Sequence, residues 1–195
     1  MQDTERLFIA IKFTPEIQQN LSKLIANLRI QGNSDLKWVL PENIHLTLKF
    51  IGDTPTQRIK PIRESMFQAS RSCLPFTIAL KGTGCFPSAK QPRIFWVGLE
   101  APENFYHLQR KIELSLIPLG ISEEKRAFSP HLTLARIPVQ HDCKLVNQVY
   151  ERLLAYNREE FGNMTVNQVT LFQSTLTRDG PIYHSLAEIP LPESI

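Results

Sequence analysis

What this 195-residue chain has little of narrows its options before any motif is considered. It holds three cysteines, Cys73, Cys85 and Cys143, odd in number and without close pairing. That argues against a disulfide framework or a Cys-rich zinc site and suits a reducing cytoplasm. No apolar stretch approaches the roughly 20 residues of a membrane-spanning helix. The apolar run from Leu7 to Phe13 is too short for a secretory signal, and the flank before it is acidic rather than basic, so a soluble, cytoplasmic protein is expected. Neither sign of charge is in large excess: the net value is +3, which tolerates a phosphate-bearing ligand without implying one. There is no Gly-x-Ser-x-Gly elbow, which weakens a serine-hydrolase reading, and no Gly-rich phosphate loop of the nucleoside-triphosphatase kind. Low-complexity segments and long linkers are absent as well.

What is there is a repeat. His45-Leu46-Thr47-Leu48 returns letter for letter as His131-Leu132-Thr133-Leu134, 86 positions further on. From the content of 5 His, 12 Thr and 24 Leu, such a tetrapeptide is expected on the order of 0.005 times, so two copies point to duplication. Each lies in an apolar stretch that reads as strand. Alternation then puts His45 with Thr47, and His131 with Thr133, on one face and the leucines on the other. Two leucines anchor each strand while an imidazole and a hydroxyl look outward. Halves packed as pseudo-symmetric mates would bring two His-Thr pairs to one cleft.

The flanking pattern repeats too. A strand over 7–13 leads to a helix opened by Thr14-Pro15-Glu16, with Ile17, Leu21, Leu24, Ile25 and Leu28 on one face and Gly32-Asn33-Ser34-Asp35 ending it. A short strand over 36–40 and a turn at Pro41-Glu42-Asn43 precede the motif strand, 44–51. Gly52-Asp53-Thr54-Pro55 is expected to stop that strand and open a helix with Ile59, Ile62, Met66 and Phe67 inward. Strands over 75–86 and 93–100 flank a loop rich in turn formers. The second half supplies a helix from Pro102-Glu103 with Phe105, Leu108, Ile112 and Leu116 inward, then the motif strand, 126–137. A helix over 142–156 follows, burying Leu145, Val149 and Leu153 with Leu154 a further candidate, then strands over 163–177 and 182–188. With 42% hydrophobic residues for a core, this reads as α+β: one bilobal domain over 1–195, its two pseudo-symmetric lobes carrying mostly antiparallel sheets, outer helices and a central cleft.

Two histidines without obvious carboxylate or cysteine partners make a poor zinc site, which usually needs three or four ligands. What two imidazoles in a cleft do well is paired acid–base catalysis. The neutral one takes a proton from a nucleophile and the charged one gives a proton to a leaving oxygen. A phosphodiester needs both services, on opposite sides of phosphorus, and two hydroxyls can stabilise its non-bridging oxygens. A single histidine on a half-buried strand is more often structural; duplication at matching places reverses that balance. His107, His141 and His184 have no such pairing and read as surface.

The motifs resemble those of the 2H phosphoesterases. The similarity extends from Arg6-Leu7-Phe8-Ile9-Ala10-Ile11 through 38–52, Pro92-Arg93-Ile94-Phe95-Trp96-Val97-Gly98 and 128–136 to Gly180-Pro181-Ile182-Tyr183, nearly the whole chain. The pattern is similar to the branch of bacterial and archaeal RNA 2′,3′-cyclic phosphodiesterases formerly named 2′-5′ RNA ligases. The resemblance implies a LigT-like fold, no cofactor or metal, and hydrolysis of RNA 2′,3′-cyclic phosphate ends to 2′-phosphomonoesters, with RNA ends such as those of tRNA fragments, or cyclic nucleotides, as the partners. It implies His45 as proton donor, His131 as proton acceptor, and Thr47 and Thr133 on the phosphate. The two identical motifs leave the donor and acceptor roles unassigned by themselves. Arg136 fits a phosphate-contacting position of the family, although strict alternation from His131 points it away from the cleft. Lys49 shares the face of His45 and Thr47 and is a candidate for the RNA backbone. Phe50 falls with the leucines. Tyr183, Phe86 and Phe95 are candidates for stacking a base, with core packing the more common fate. Two other readings compete: ATP-independent RNA joining by the reverse reaction, and a catalytically silent RNA- or nucleotide-binding module. Nothing calls for an obligate protein partner or a membrane, and a monomer is expected.

Overall fold

A computed structural model of the chain describes residues 3–30, 36–178 and 180–193. The predicted helix stop at Gly32-Asn33-Ser34-Asp35 lies outside the described residues. In chain order the elements are β1 (Thr4–Lys12), α1 (Pro15–Leu28), β2 (Lys37–Trp38), β3 (His45–Pro55), α2 (Ile59–Ser70), β4 (Phe76–Phe86) and β5 (Ile94–Glu100). They continue as α3 (Glu103–Leu116), β6 (His131–Arg136), α4 (Cys143–Leu154), β7 (Glu160–Val166), β8 (Gln168–Thr177) and β9 (Gly180–Pro190).

Helix α1 forms as its spacing demands. Thr14 caps it by accepting from the Ile17 amide at 3.4 Å, Pro15 occupies the first turn, and the five predicted inward residues are all buried. Helix α3 buries its four predicted residues likewise. In α2, Ile62 and Met66 are buried but Phe67 is 46% exposed, its ring lying under the Arg71 guanidinium. In α4, Val146 rather than Leu145 joins Val149 and Leu153 inside.

The strands make two antiparallel sheets, ordered β3-β1-β8-β9 and β2-β6-β5-β4-β7. Their backs, with helices α2 and α3 on the first sheet and α1 and α4 on the second, share one continuous apolar core. Two predicted boundaries move for identifiable reasons. Strand β3 does not stop at Gly52: that residue adopts φ 87°, absorbs a bulge opposite Leu7, and the ladder with β1 runs on to Pro55. The predicted strand 163–177 is two strands, because the chain leaves the second sheet at Asn167 and enters the first. The motif strand β6 is also shorter than predicted, starting at His131.

The sheets do not correspond to the sequence halves. Strand β4, from the first half, pairs with β7 of the second, and β8, from the second half, pairs with β1 of the first. Setting β1 against β5 and β3 against β6 makes β3-β1-β8-β9 the counterpart of β6-β5-β4-β7, with β2 as an extra edge strand. The duplication is real in space, and it is closed by reciprocal exchange of strands.

Candidate active site

The six-residue segments 45–50 and 131–136 have the same burial sequence: half-buried, buried, half-buried, buried, buried, exposed. Leu46 and Leu132 are fully buried, Leu48 and Leu134 nearly or fully so, and the His and Thr of each motif lie on the opposite face. Both strands then carry a bulge at the same place. Ala10 faces Thr47 and Ile9 faces Lys49, leaving Leu48 unpaired in register; Trp96 faces Thr133 and Phe95 faces Ala135, leaving Leu134 unpaired. One extra residue reverses the parity of everything beyond it.

That reversal corrects three sequence expectations. Lys49 does not share the face of His45: it is 6% exposed, points into the core, and donates to Glu113 and, at 2.7 Å, to the Ser122 carbonyl. Phe50 is not core but 51% exposed, with the Arg6 guanidinium 5.0 Å from its ring centre. Arg136 turns toward the cleft, near enough for its charge to act on His45 and Tyr183. A signal for Lys49 was present in the repeat, since the equivalent residue, Ala135, is a small apolar one.

Each motif histidine is held the same way. His45 Nδ1 lies 2.7 Å from the Asn43 carbonyl and His131 Nδ1 lies 2.8 Å from the Ser129 carbonyl. A carbonyl only accepts, so Nδ1 carries the proton in each ring and donates it there. The working nitrogen is therefore Nε2 in both, an acceptor when the ring is neutral and a donor when it is charged. His107 and His141 are engaged elsewhere, with Glu103 and with the Pro138 carbonyl.

The surroundings of the two rings differ. His45 sits among aromatics: Phe8 at 4.7 Å between centroids, Tyr183 edge-on at 5.1 Å and Phe172 at 6.3 Å. Phe8, Ala10 and Phe172, with Tyr183 against them, form a small apolar cluster of their own, apart from the main core. Tyr183 thus reaches the motif, and burial raises its phenol pKa against the opposing charges of Arg136 and Arg6. Burial likewise lowers the His45 pKa, with the Asn43 carbonyl opposing and Arg136 reinforcing the shift. His131 meets Phe86 edge-on at 4.9 Å, and Phe86 leans on Trp96 at 5.2 Å. Phe95 is core, fully buried, as its strand position suggests. The Trp96 indole lies so close over Gly84 that any side chain there would collide with its ring.

The equivalence of β1 with β5 makes the asymmetry explicit. Across the ladder from His45 stands Lys12, but across from His131 stands Gly98. Opposite Thr47 is Ala10, whereas opposite Thr133 is Trp96. A cavity of about 230 Å³ opens beside His45, lined among others by Lys12, Phe172, Tyr183 and Ser185. None of Phe8, Phe172 or the bulges could be read from the motif's own letters, because all depend on which strand lies alongside.

Known proteins resemble the chain in sequence and in fold. A model for the LigT like phosphoesterases matches the chain twice, over 11–96 and 97–183. An RNA 2′,3′-cyclic phosphodiesterase of Methanothermobacter thermautotrophicus is 34% identical over 91% of this chain and 94% of its own. One of Aquifex aeolicus is 35% identical, covering 94% of each chain. Among solved structures, TT0787 of Thermus thermophilus superposes with a TM-score of 0.79 at 26% identity, covering 95% of this chain and 97% of that one. E. coli LigT complexed with 3′-AMP has the same fold, with a TM-score of 0.77 at 22% identity and coverage of 97% and 99%.

Proposed function

The chain belongs to the LigT like phosphoesterase family, and from that premise we propose that it hydrolyses RNA ends bearing a 2′,3′-cyclic phosphate to 2′-phosphomonoesters. The observation that carries the reading is the pair of imidazoles, each tied through Nδ1 to the carbonyl two residues earlier, which leaves Nε2 as the nitrogen to meet a substrate. Neutral His131 accepts a proton from water as its oxygen attacks phosphorus. The phosphorus–O3′ bond breaks, and charged His45 gives its Nε2 proton to O3′. The two histidines exchange protonation states, and return to the start by proton exchange with water. Thr47, Thr133 and the Arg136 guanidinium face the non-bridging oxygens, whose charge grows as the fifth oxygen joins. Phe50 offers an exposed ring to the base. Lys49, held in the core, has no part in binding.

Asymmetry supports His45 as the donor. The leaving oxygen belongs to the ribose and so to the bulk of the substrate, whereas the nucleophile is a water molecule. The histidine beside open space is suited to the first and the one behind Phe86 and Trp96 to the second. Burial, reinforced by Arg136, depresses the pKa of His45 in the free protein. An anionic phosphate beside it favours the imidazolium, so the donor is charged by the substrate it acts on. The enzyme works in this reading as a single bilobal unit on RNA in the cytoplasm, without a protein partner; no helix among the described residues is long and apolar enough to cross a membrane.

The test is an assay in EDTA with a short RNA ending in 2′,3′-cyclic phosphate, resolving the product isomers. A 2′-phosphate is expected, with turnover reduced at least ~100-fold in His45→Ala and in His131→Ala. A 3′-phosphate product would mean that the leaving oxygen, and with it the donor's position, is wrong. A 2′-5′ joined product with a 5′-hydroxyl acceptor would show the reverse reaction, and binding without turnover would leave a silent RNA-binding module.

A further inference from the structure

The half-site of His45 has a cation across the ladder, where that of His131 has Gly98, and a cavity beside it. Lys12 pairs with His45 in register, and cross-strand neighbours stand about 4.5–5.5 Å apart at Cα. Its ammonium lies 2.6 Å from Glu188 and 5.5 Å from the centre of the Phe172 ring. Both partners of that ion pair are about two-fifths exposed, at 41% and 45%, so the pair is weak and open to exchange. The cavity it borders has aromatic walls, Phe172 and Tyr183, and a polar rim of Gln18, Glu42 and Ser185. Apolar walls with a few donors and acceptors suit a base or a sugar. Glu42 and Glu188 disfavour an anion anywhere in it except at Lys12.

If His45 protonates O3′, the terminal ribose lies against it, and that sugar's 5′ oxygen leads away from the reacting phosphorus. In an RNA the 5′ oxygen carries the phosphodiester to the preceding nucleotide. We propose that Lys12 and the cavity beside His45 form a subsite for the 5′ side of the RNA end. The ammonium leaves Glu188 for that phosphodiester, and the cavity takes the nucleotide beyond it. The proposal rests on the phosphodiesterase reading above and adds to it a preference for polymer ends over mononucleotides. Gly98, which stands in place of Lys12 in the other half-site, offers no such contact, which accords with a water molecule as the only reactant on that side.

Three substrates separate the parts: adenosine 2′,3′-cyclic phosphate with a free 5′-hydroxyl, the same compound with a 5′-phosphate, and the dinucleotide ApA ending in 2′,3′-cyclic phosphate. The wild-type kcat/KM should rise from the first to the second and from the second to the third. In Lys12→Gln the ratio of second to first should fall about fivefold, the worth of one exposed charge contact. The salt dependence of log kcat/KM on the dinucleotide should flatten by about 0.7. Glu188→Gln, which removes the competing carboxylate, should raise the same ratio. Ratios unchanged in both variants overturn the subsite, and so does an equal loss on all three substrates, which would place Lys12 at the reacting centre instead. A protein that turns over none of the three overturns the phosphodiesterase reading. The ratio of dissociation constants for the first two compounds, measured by calorimetry, then decides the subsite by the same criterion.

Discussion

Lys49 shows how one residue's environment inverts its meaning. By letter and parity it is a cation on the motif face; in space it is a buried partner of Glu113. Gln109 binds the second Glu113 oxygen at 3.4 Å and the Leu48 carbonyl at 3.3 Å, and the Glu124 amide donates to Glu113 at 2.8 Å. The network ties the bulge of β3 to α3 and to the segment that leads toward His131. Removing one charge from such a pair leaves the other buried and unmatched. Lys49→Met is therefore expected to cost about 3–5 kcal/mol in urea unfolding, and Lys49→Met with Glu113→Leu to recover most of it. A Lys49→Met protein of unchanged stability would contradict the buried pairing. At His45 the sign is equally specific. Its free imidazole should titrate below the ordinary value, because burial and Arg136 both disfavour the charged ring. A bound 2′-nucleotide, bringing an anion, should move the midpoint up. NMR titration of the ring protons, assigned with His45→Gln, reads both; a midpoint lowered by the nucleotide would contradict the arrangement.

At the scale of the element, the bulges at Leu48 and Leu134 do more than the strands' own composition. They let a single six-residue segment put leucines into the core, His and Thr on the opposite face, and still return its sixth residue to that face. Phe50→Ala should accordingly leave unfolding midpoints nearly unchanged while raising KM for cyclic nucleotides several-fold, a contrast measured by pairing denaturation with kinetics. Substantial destabilisation would restore Phe50 to the core. Helix α1 offers a simpler check: its Thr14 cap should be worth about 1 kcal/mol against Thr14→Ala.

On the scale of the molecule, the exchange of β4 and β8 between the repeats makes each half dependent on the other. A chain divided within the turn-rich segment between β4 and β5 leaves β4 without β5 and β1 without β8, with open ladder edges and half a core on each fragment. Neither fragment should show a cooperative unfolding transition alone, and mixing the two should restore both circular dichroism and activity. An independently folded fragment would show that the repeats are autonomous domains.

Letters near one another in the chain were enough for the local features: five inward residues of α1, four of α3, the Thr14 cap, and two His-x-Thr-x strands on a half-buried face. These depend on 3.6-residue and two-residue periods, which neighbours in sequence encode. The duplication also foretold that the two motif strands would match, residue for residue, in burial. Strand partners and bulges were beyond reach, because a bulge exists only against the strand beside it and one extra residue flips every side chain after it. So parity misplaced Lys49 and Phe50 and pointed Arg136 away from the cleft. Two identical tetrapeptides are equivalent as text. Folding made them different by setting Lys12 and an open cavity beside one histidine, and Gly98 and Phe86 beside the other.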